Sequence, residues 1–572
     1  MSIDIETYRL KAQEAIEYVF VKEYHNSLGI PMPIVKMLLP DDANYSTGQY
    51  YITIDKTWQI HLNFGKLPIS YHEFQNEVKV LTRHEIEHYM CCPFDVITHF
   101  RMLKRIRDVY YKHFSHLGIN IEYACGAISN QAADIIVDTK NYYRHSKETL
   151  KSEIDWIKIG ANISACPRHC KLMFLTKEAI WKEDLGINET DPEFLKIVHQ
   201  LADSFTKNGI EDKSSFLDKV EEYAEIFFKL YVEDQKNPQQ SGQQGPQQQG
   251  GQQGSQQQSG QQGSQQQSGQ WGVGRPKDGD EHGNAFVFAD PDKVKEAIEV
   301  LAEETSVEEF IDLLAIAGII GMSDKQKGVL WFNVQSANII PIVEFSNTGN
   351  KSSYTYPSVW RIGDPIEELD LMLTYMTSPR LIPGMTTKKW EYVSNDDNGT
   401  ESKQMDLLLV VDTSGSMGSV MKESANMHQA VLASYGILSY FESTKSKVAF
   451  IGFSDKIDAY VDWSDKYDDV RERLLTNGHG GTKFPISRIK STLDVRSRDL
   501  VTVLITDGDL GNINESVSYF RDYLNDDNKL YIFLLGGSKS LHSYEPLKNI
   551  GAKIYNANNA NEFCDMVLTD ME

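Results

Sequence analysis

Positive charge is scarce in this sequence. Lysine and arginine together number 57, against 81 aspartates and glutamates, which leaves a formal net charge of −24. Sequence-independent binding to nucleic acid requires a basic surface that neutralises phosphates. We therefore expect no nucleic-acid partner, whereas divalent cations and basic partners suit this charge.

Long apolar runs are also missing. The longest one in the centre of the chain, Leu313-Leu-Ala-Ile-Ala-Gly-Ile-Ile320, is far shorter than the roughly 20 residues that a membrane-spanning helix needs. The first residues, Met1-Ser-Ile-Asp-Ile-Glu6, lack a basic start followed by an apolar run, so we expect no secretory signal. We therefore expect that this protein does not associate with membranes.

Cysteine is rare as well. Six cysteines in 572 residues do not form a disulfide framework. The Cys91-Cys92 pair and the segment Cys166-Pro-Arg-His-Cys170 also suggest a metal site. The second does not have the two-residue gap of a zinc knuckle and no second pair accompanies it, so we interpret these cysteines as ordinary buried thiols. With no signal and no disulfides, we expect the protein in the cytoplasm.

The chain is too long for one core, and its composition marks one clear boundary. From about Lys236 to Gln270 it consists almost only of Gln, Gly and Ser, with a nonapeptide at 252–260 repeated at 261–269. Such a segment cannot bury apolar surface and is expected to be a disordered linker. The predicted parts are a domain at 1–235, the linker at 236–275, a helical or mixed intermediate region at 276–403 and a domain at 404–572.

The part before the linker has the pattern of a mostly helical α+β domain. Strands are predicted at 33–38, 49–55 and 57–63, and the last two are close enough to form a hairpin. A helix at 70–91 follows, and further helices are predicted at 4–28, 96–116, 124–143, 172–184 and 213–233. In the intermediate region we expect helices at 291–303, 306–319 and 363–372.

From residue 404 onwards strands and helices alternate. Strands are predicted at 405–411, 447–453, 499–505, 529–535 and 552–555, and helices at 418–442, 465–475, 484–492, 514–524 and 559–570. The strands are apolar on both faces, which is typical of a parallel sheet covered by helices on both sides. The C-terminal domain is therefore predicted to be doubly wound α/β.

Oxygen-bearing side chains follow two of these strands. Asp412, Ser414 and Ser416 come directly after the first strand, Asp507 follows the strand at 499–505, and Thr482 lies in a glycine-rich loop. In open α/β sheets the loops beyond the carboxyl ends of strands meet and bind ligands. Hydroxyl and carboxylate oxygens that fill only part of a coordination shell suit Mg²⁺. The sequence therefore predicts a magnesium site here.

A second motif, His84-Glu-Ile-Glu-His88, lies in the predicted helix 70–91. Two histidines four residues apart sit one turn apart on the same helix face, where both imidazoles can bind one Zn²⁺. Glu85 would then lie beside the metal-bound water and could accept its proton. The alternative is that both histidines are hydrogen-bonded members of a polar helix face.

The third zinc ligand is less clear from the sequence. Asp134 on the next amphipathic helix is the favoured candidate, because the alanines before it would let that helix approach closely. Asp138, one turn further on, and His99 remain as alternatives.

The C-terminal residues closely resemble the metal-ion-dependent adhesion site of a von Willebrand factor A domain, over roughly residues 404–572. In that family the seryl and threonyl oxygens bind the metal, the aspartates often act through water, and an acidic side chain of the partner completes the shell. The resemblance assigns those roles to Ser414, Ser416 and Thr482 and to Asp412 and Asp507. Asp509 is an additional acid beside the predicted site.

The histidine motif is similar to that of zincin metallopeptidases, in which an edge strand pairs with an extended substrate. The segment 57–63 is the candidate for that strand. The combination with the C-terminal domain resembles a little-characterised family of metallopeptidase-like proteins with a C-terminal von Willebrand A domain. That family has an Asn-x-Ala-Ala-Asp segment after the histidine helix, which maps its aspartate to Asp134.

Proteins of this kind commonly act with a hexameric AAA+ ATPase of the MoxR type, so the resemblance implies such a partner. The leading hypothesis is a cytoplasmic protein that binds its partner through Mg²⁺ and has a zinc-dependent peptidase domain. The rival is a non-enzymatic adaptor whose zinc site is structural or inactive. A surface adhesion receptor is disfavoured by the absence of a signal and a membrane segment.

Overall fold

The structure is a computed structural model of the chain. It describes residues 5–26, 28, 32, 34–37, 50–54, 59–64, 70–159, 163–236, 291–319, 322–337, 354–360, 388–392, 405–496, 499–508, 510–526, 528–536, 541–557 and 560. The chain forms two compact units, one of residues 1–305 and 309–322 and the other of residues 306–308 and 323–572. The predicted linker at 236–275 lies almost wholly outside the described residues, as do the predicted helices at 363–372 and 559–570.

Helices dominate the chain as far as residue 316. They are α1 (Ile5–Glu17), α2 (Tyr71–Met90), α3 (Val96–Val109), α4 (Ile121–Ile159), α5 (Arg168–Trp181), α6 (Pro192–Thr206), α7 (Phe216–Lys236), α8 (Pro291–Glu304) and α9 (Val307–Ile316). α1 and α3 continue into π-helical turns at 18–23 and 110–114. Of these helices, α6 is not predicted from the sequence, although Asp191 caps its first turn and Pro192 begins it, a common helix start.

The helix α4 is interrupted at His145, whose φ of −136° and ψ of 48° are not helical. A straight helix would separate Asp138 and Glu153 by about 22 Å, because each residue adds ~1.5 Å. Both carboxylates nevertheless contact one ammonium group, that of Lys177, at 2.5 Å and 3.0 Å. The interruption therefore turns the second half of α4 back towards the first.

A three-stranded sheet lies between α1 and α2 in the sequence. Its strands are β1 (Ile34–Met37), β2 (Tyr50–Ile54) and β3 (Gln59–Phe64), in the order β1-β3-β2. β2 and β3 form the predicted hairpin, and β1 pairs with β3 in parallel. The expectation that 57–63 is an edge strand for a substrate is therefore wrong, since β3 has strand partners on both sides.

The segment that follows the predicted linker contacts α3 of the first unit. In α3, Arg101 Nε donates to Glu304 Oε2 at 3.0 Å, and Arg107 Nη2 donates to Asp312 Oδ2 at 2.8 Å. Residues 291–304 and 309–316 of the predicted intermediate region thus pack with the N-terminal unit.

The second unit is built on a six-stranded mixed sheet. Its strands are β6 (Asp406–Asp412), β7 (Val448–Phe453), β8 (Ile457–Ser464), β9 (Leu500–Thr506), β10 (Lys529–Leu535) and β11 (Lys553–Ala557), after a separate antiparallel pair, β4 (Tyr354–Val359) and β5 (Lys388–Tyr392). The order in the sheet is β11-β10-β9-β6-β7-β8. The strand order therefore reverses between β6 and β9.

Both faces of this sheet are buried, as the sequence predicts. Leu407 and Leu408 are each 0% exposed although they point to opposite faces. The helices are α10 (Asp324–Ala337), α11 (Asn426–Ser443), α12 (Tyr467–Leu474), α13 (Ile486–Leu493), α14 (Val517–Asn525) and α15 (Leu541–Lys548). α13, α14 and α15 share one apolar cluster with β6, β7, β9 and β10.

The edge strand β8 corrects the expectation of a purely parallel sheet. It pairs with β7 in antiparallel orientation after a three-residue connection at 454–456. Such a short connection can only return the chain alongside itself, whereas a parallel crossover needs a dozen or more residues.

α10 belongs to the second unit. The rings of Trp331 and Phe332 lie 5.4 and 5.0 Å from the ring of His428 in α11. Within the part of the chain that the structure describes, no helix has the length and apolar character needed to cross a membrane.

Candidate metal centres

The helix α2 fixes the two histidines of the N-terminal motif. It starts at a capping box in which Ser70 Oγ accepts from the backbone N–H of Glu73 while the Glu73 carboxylate accepts from the Ser70 N–H. His84 and His88 lie in its last two turns, four residues apart. Their rings meet edge to face with centroids 4.6 Å apart.

Three ligand-type atoms meet beside this helix. The Nε2 atoms of His84 and His88 are 3.0 Å apart, and Oδ1 of Asp134 lies 3.5 Å from the first and 3.2 Å from the second. Among the described residues, these three side chains form a group whose ligand atoms all lie within 4.8 Å of one another. The structure thus brings together the three residues predicted to bind zinc.

The contacts of the other ring nitrogens orient both Nε2 atoms towards this meeting point. His88 Nδ1 lies 2.8 Å from the Cys92 carbonyl oxygen, and His84 Nδ1 lies 2.7 Å from Oδ1 of Asp138. A carbonyl and a carboxylate can only accept, so each Nδ1 carries a hydrogen, and the neutral form of each ring would have its lone pair at Nε2. Oδ1 of Asp134 is buried without a hydrogen-bond donor among the described residues.

This arrangement favours a cation. Burial alone would lower the pKa of His84, but the carboxylates of Asp138 and Asp134 outweigh it and raise that pKa to about 9. Burial alone would raise the pKa of Asp134, yet the two imidazoles hold it below its usual value. Positive charge is thus stabilised between these side chains, and a divalent ion could be shared by all three. Two imidazoles and a carboxylate are a common zinc ligand set.

The alternative third ligands have other positions. Asp138 uses one oxygen on His84 and the other on Lys177, at 2.7 and 2.5 Å, so it lies on the far side of the imidazole. His99 is buried in α3, and this burial, together with the nearby His88, lowers its pKa to about 4. The geometry favours Asp134 over both.

The two glutamates of the motif differ in their surroundings. Glu85 is partly exposed and lies close enough to His84 to add to the negative charge that acts on it. Glu87 is fully buried and contacts Lys140, Arg144 and the Tyr24 hydroxyl at 2.9, 2.8 and 3.0 Å. Glu87 therefore ties helices together, and Glu85 is the carboxylate available for chemistry.

The second centre lies where the strand order of the six-stranded sheet reverses. Asp412 ends β6, and Asp507 directly follows the neighbouring strand β9. This point in an open α/β sheet is where connections leave in opposite directions and leave a crevice. The topology therefore places both carboxylates at one crevice.

Hydroxyl groups join these carboxylates. Ser414 Oγ lies 3.1 Å from Ser416 Oγ, and Ser416 Oγ donates to Oδ1 of Asp507 at 3.0 Å. Asp412 is fully buried and accepts from the Ser414 backbone N–H at 2.9 Å. Four of the five residues predicted for magnesium are thus connected directly.

The loop of the fifth residue, Thr482, is anchored on both sides of it. Gly415 N donates to the Gly480 carbonyl at 3.3 Å, and Lys483 N donates to the Ser454 carbonyl at 2.8 Å. The first bond joins the loop to the segment that holds Ser414 and Ser416, and the second joins it to the residue that follows β7. Asp509, the additional acid, lies outside the described residues.

Two side chains at this centre were not identified from the sequence. Thr506 Oγ1 donates to Oδ2 of Asp412 at 2.7 Å, and Asn426 Nδ2 donates to Oδ2 of Asp507 at 3.3 Å. Thr506 immediately precedes Asp507, so its position at the strand end was a usable signal. Asn426 begins α11 and carries no comparable signal.

The electrostatics of this centre also favour a cation. Burial raises the pKa of Asp412, and the nearby carboxylate of Asp507 adds to this effect, while hydrogen bonds from Thr506 and Ser414 oppose it. The two carboxylates therefore repel each other, and a divalent ion near them would relieve this repulsion.

Comparison with known proteins gives little further information. No protein-family model matches the chain. No curated protein matches it. One similar solved structure, described as the conserved hypothetical protein BatB from Bacteroides thetaiotaomicron, has 13% sequence identity and a TM-score of 0.25, and the match covers 29% of this chain and 97% of that one. Another, an aerotolerance-related membrane protein from Bacteroides fragilis, has 14% identity and a TM-score of 0.24 over 29% and 98%. Such TM-scores do not support a fold assignment, so the fold of the second unit is described from its strand order alone.

The geometry of His84, His88 and Asp134 predicts which substitutions would abolish zinc binding. His88→Ala and Asp134→Ala should each abolish stoichiometric zinc, because each deletes one of three converging ligand atoms. His72→Ala is the matched control, since His72 is an exposed histidine of the same helix and should leave one zinc per chain. Elemental analysis of the purified full chains measures this. Equal zinc in wild type and Asp134→Ala would disprove the proposed ligand set.

The glycine loop of the second centre allows a steric test. A Cβ at Gly478 would lie 2.4 Å from Asp458 Oδ2 and 2.5 Å from the Thr413 carbonyl oxygen, whereas one at Gly481 meets nothing within 4 Å. Overpacking costs roughly 1–3 kcal/mol, and where the loop must return to this strained position to bind the ion, the cost corresponds to a roughly 5- to 150-fold loss of affinity. Gly478→Ala should therefore weaken Mg²⁺ binding in calorimetric titration, and Gly481→Ala should not. Equal effects of both variants would contradict this prediction.

Proposed function

We propose that this protein is a zinc-dependent peptidase with a separate Mg²⁺-dependent site for docking a partner protein. The observation that carries the proposal is the meeting of His84 Nε2, His88 Nε2 and Asp134 Oδ1 within 3.5 Å of one another. Three electron-pair donors at such distances repel unless a proton or a metal ion lies between them, and a divalent ion could be shared by all three.

Peptide hydrolysis is supported by the carboxylate beside this group. A zinc ion held by the two histidines and Asp134 would supply a polarised water with a pKa of about 7. Glu85 would accept a proton from that water and later deliver it to the leaving amine. The Cys92 carbonyl and Asp138 would keep the two imidazoles oriented throughout.

Partner docking is supported by the incomplete oxygen set of the second centre. Ser414, Ser416 and Asp507 supply few oxygens, and hydroxyls donate weakly, so a bound Mg²⁺ would retain open positions. An acidic side chain of a partner could fill one of them. The residues and the strand order are similar to those of a von Willebrand factor A domain with its metal-ion-dependent adhesion site, and the resemblance of the whole chain suggests a MoxR-type AAA+ ATPase as partner.

The peptidase proposal predicts a separation of metal binding from cleavage. Glu85→Gln should keep one zinc per chain but abolish cleavage of a panel of unfolded proteins, because it removes the proton acceptor and leaves the ligands intact. Wild type and His72→Ala should both cleave. Zinc and iron should both be measured, since two histidines and a carboxylate also suit Fe(II). A zinc-loaded wild type without cleavage would instead support an adaptor with a structural zinc site.

The docking proposal predicts metal-dependent complex formation. The full chain, coexpressed with a MoxR-type ATPase from the same genome, should be recovered with it in Mg²⁺ and released by EDTA. Asp507→Asn should weaken this recovery, since it removes a charge at the cation site while keeping the shape of the side chain. Asp469→Asn, an exposed acid of α12, is the control. A complex indifferent to EDTA and to Asp507→Asn would exclude this centre as the docking point.

A further inference from the structure

A chain of charged contacts leads away from the N-terminal metal centre. Asp138 Oδ1 contacts His84 Nδ1 at 2.7 Å, and Oδ2 of the same carboxylate accepts from Lys177 Nζ at 2.5 Å. The same ammonium group donates to Glu153 Oε1 at 3.0 Å. The chain therefore runs from a proposed ligand on α2, through the first half of α4, to α5 and the second half of α4.

These groups are withdrawn from water. Lys177 is 2% exposed and Asp138 is 8% exposed. Removing an ion from water has a large energetic penalty, so buried charges persist where each has partners of opposite sign. Lys177 contacts Asp138 and Glu153, and a divalent cation bound by His84, His88 and Asp134 would balance the remaining charge of these three carboxylates. The buried lysine thus fits a centre that contains a metal ion.

The two oxygens of Asp138 have separate tasks. One holds the hydrogen on Nδ1 of His84, which leaves the Nε2 lone pair directed towards His88 and Asp134. The other is held by Lys177, which prevents the carboxylate from rotating away from the imidazole. Partners of this kind orient a ligating histidine and typically change metal affinity about 10–100-fold when removed.

We propose that Asp138, Lys177 and Glu153 form a positioning chain that orients His84 and sets the zinc affinity of the centre, with none of the three binding the metal. This inference rests on the zinc site proposed above. It assigns to Asp138 a different role from that of a third ligand, and it gives a function to Lys177, which is otherwise an ordinary helix residue in the sequence.

The test is the zinc affinity of full-length variants, measured by competition with a chelator of known affinity. Asp138→Ala and Lys177→Met should each bind one zinc per chain with an affinity about 10–100-fold weaker than wild type. Asp138→Asn should lie between them and wild type, because its carbonyl oxygen can still accept from His84 while the charge is lost. It also serves where Asp138→Ala does not fold.

Lys171→Met is the matched control. Lys171 lies on the same helix α5, is 8% exposed and contacts Glu189 Oε2 at 2.9 Å. Its loss removes a comparable buried ion pair away from the centre, so zinc affinity should not change. Circular dichroism checks that each variant is folded.

The absorption spectrum of the Co²⁺-loaded protein separates positioning from ligation. It should be retained in Asp138→Asn and Lys177→Met, since the ligands stay the same, and should change in Asp134→Ala. Unchanged zinc affinity in both Asp138→Ala and Lys177→Met would overturn this inference and leave the zinc site standing. A Co²⁺ spectrum that changes in Asp138→Asn would overturn it by making Asp138 a ligand. Absence of zinc from wild type would instead refute the proposed function itself.

Discussion

Mutual repulsion between electron-pair donors is the constraint on which the N-terminal unit depends. Two imidazole nitrogens and a carboxylate oxygen lie 3.0 to 3.5 Å apart in a buried place. These atoms repel one another unless a proton or a metal ion lies between them. The surrounding helices hold them together through groups that bind their outer atoms: the Cys92 carbonyl, Asp138 and Asn130, whose Nδ2 donates to Asp134 Oδ2 at 2.9 Å.

The interruption of α4 at His145 brings both halves of this helix to α2 and α5. One helix supplies Asp134 and Asp138 before the interruption and Glu153 after it, and all of them act around α2 and α5. In the second half of α4, Glu148 contacts Arg83 of α2, and Ser152 donates to the Glu77 carboxylate at 2.8 Å. Both halves therefore contact α2, the first half through the two histidines and the second through Arg83 and Glu77.

Much of this could be predicted from the sequence, for identifiable reasons. The spacing of His84 and His88 fixes them on one helix face, and the apolar runs after residue 404 fix buried strands. The choice between Asp134 and Asp138 could not be made in the same way, because both occupy the same face of a helix one turn apart. Which of the two faces both Nε2 atoms, and which contacts Nδ1 of His84, depends on the angle between α2 and α4, which is a tertiary property.

The errors have physical causes too. β8 was missed although Ile457, Ala459, Val461 and Trp463 alternate with polar residues, which is the signal of a half-buried edge strand. The segment 57–63 is predicted from the sequence to be an edge strand, but β3 forms backbone hydrogen bonds with β1 on one side and with β2 on the other. Local pattern predicts that a strand exists. It does not predict which neighbours the strand acquires.

The two centres differ in the hydrogen bonds that hold their ligand-type atoms, and this difference bears on the roles proposed for them. At the N-terminal centre the two Nε2 atoms contact each other at 3.0 Å, and a cation would replace only the hydrogen bond between them. At the C-terminal centre Ser416 donates to Asp507, and Asn426 holds the second oxygen of the same carboxylate. A cation must exchange those bonds for coordination, which lowers its net gain. An oxygen from outside the chain would then add a larger share of the binding free energy, which suits a site that engages its metal and its partner together.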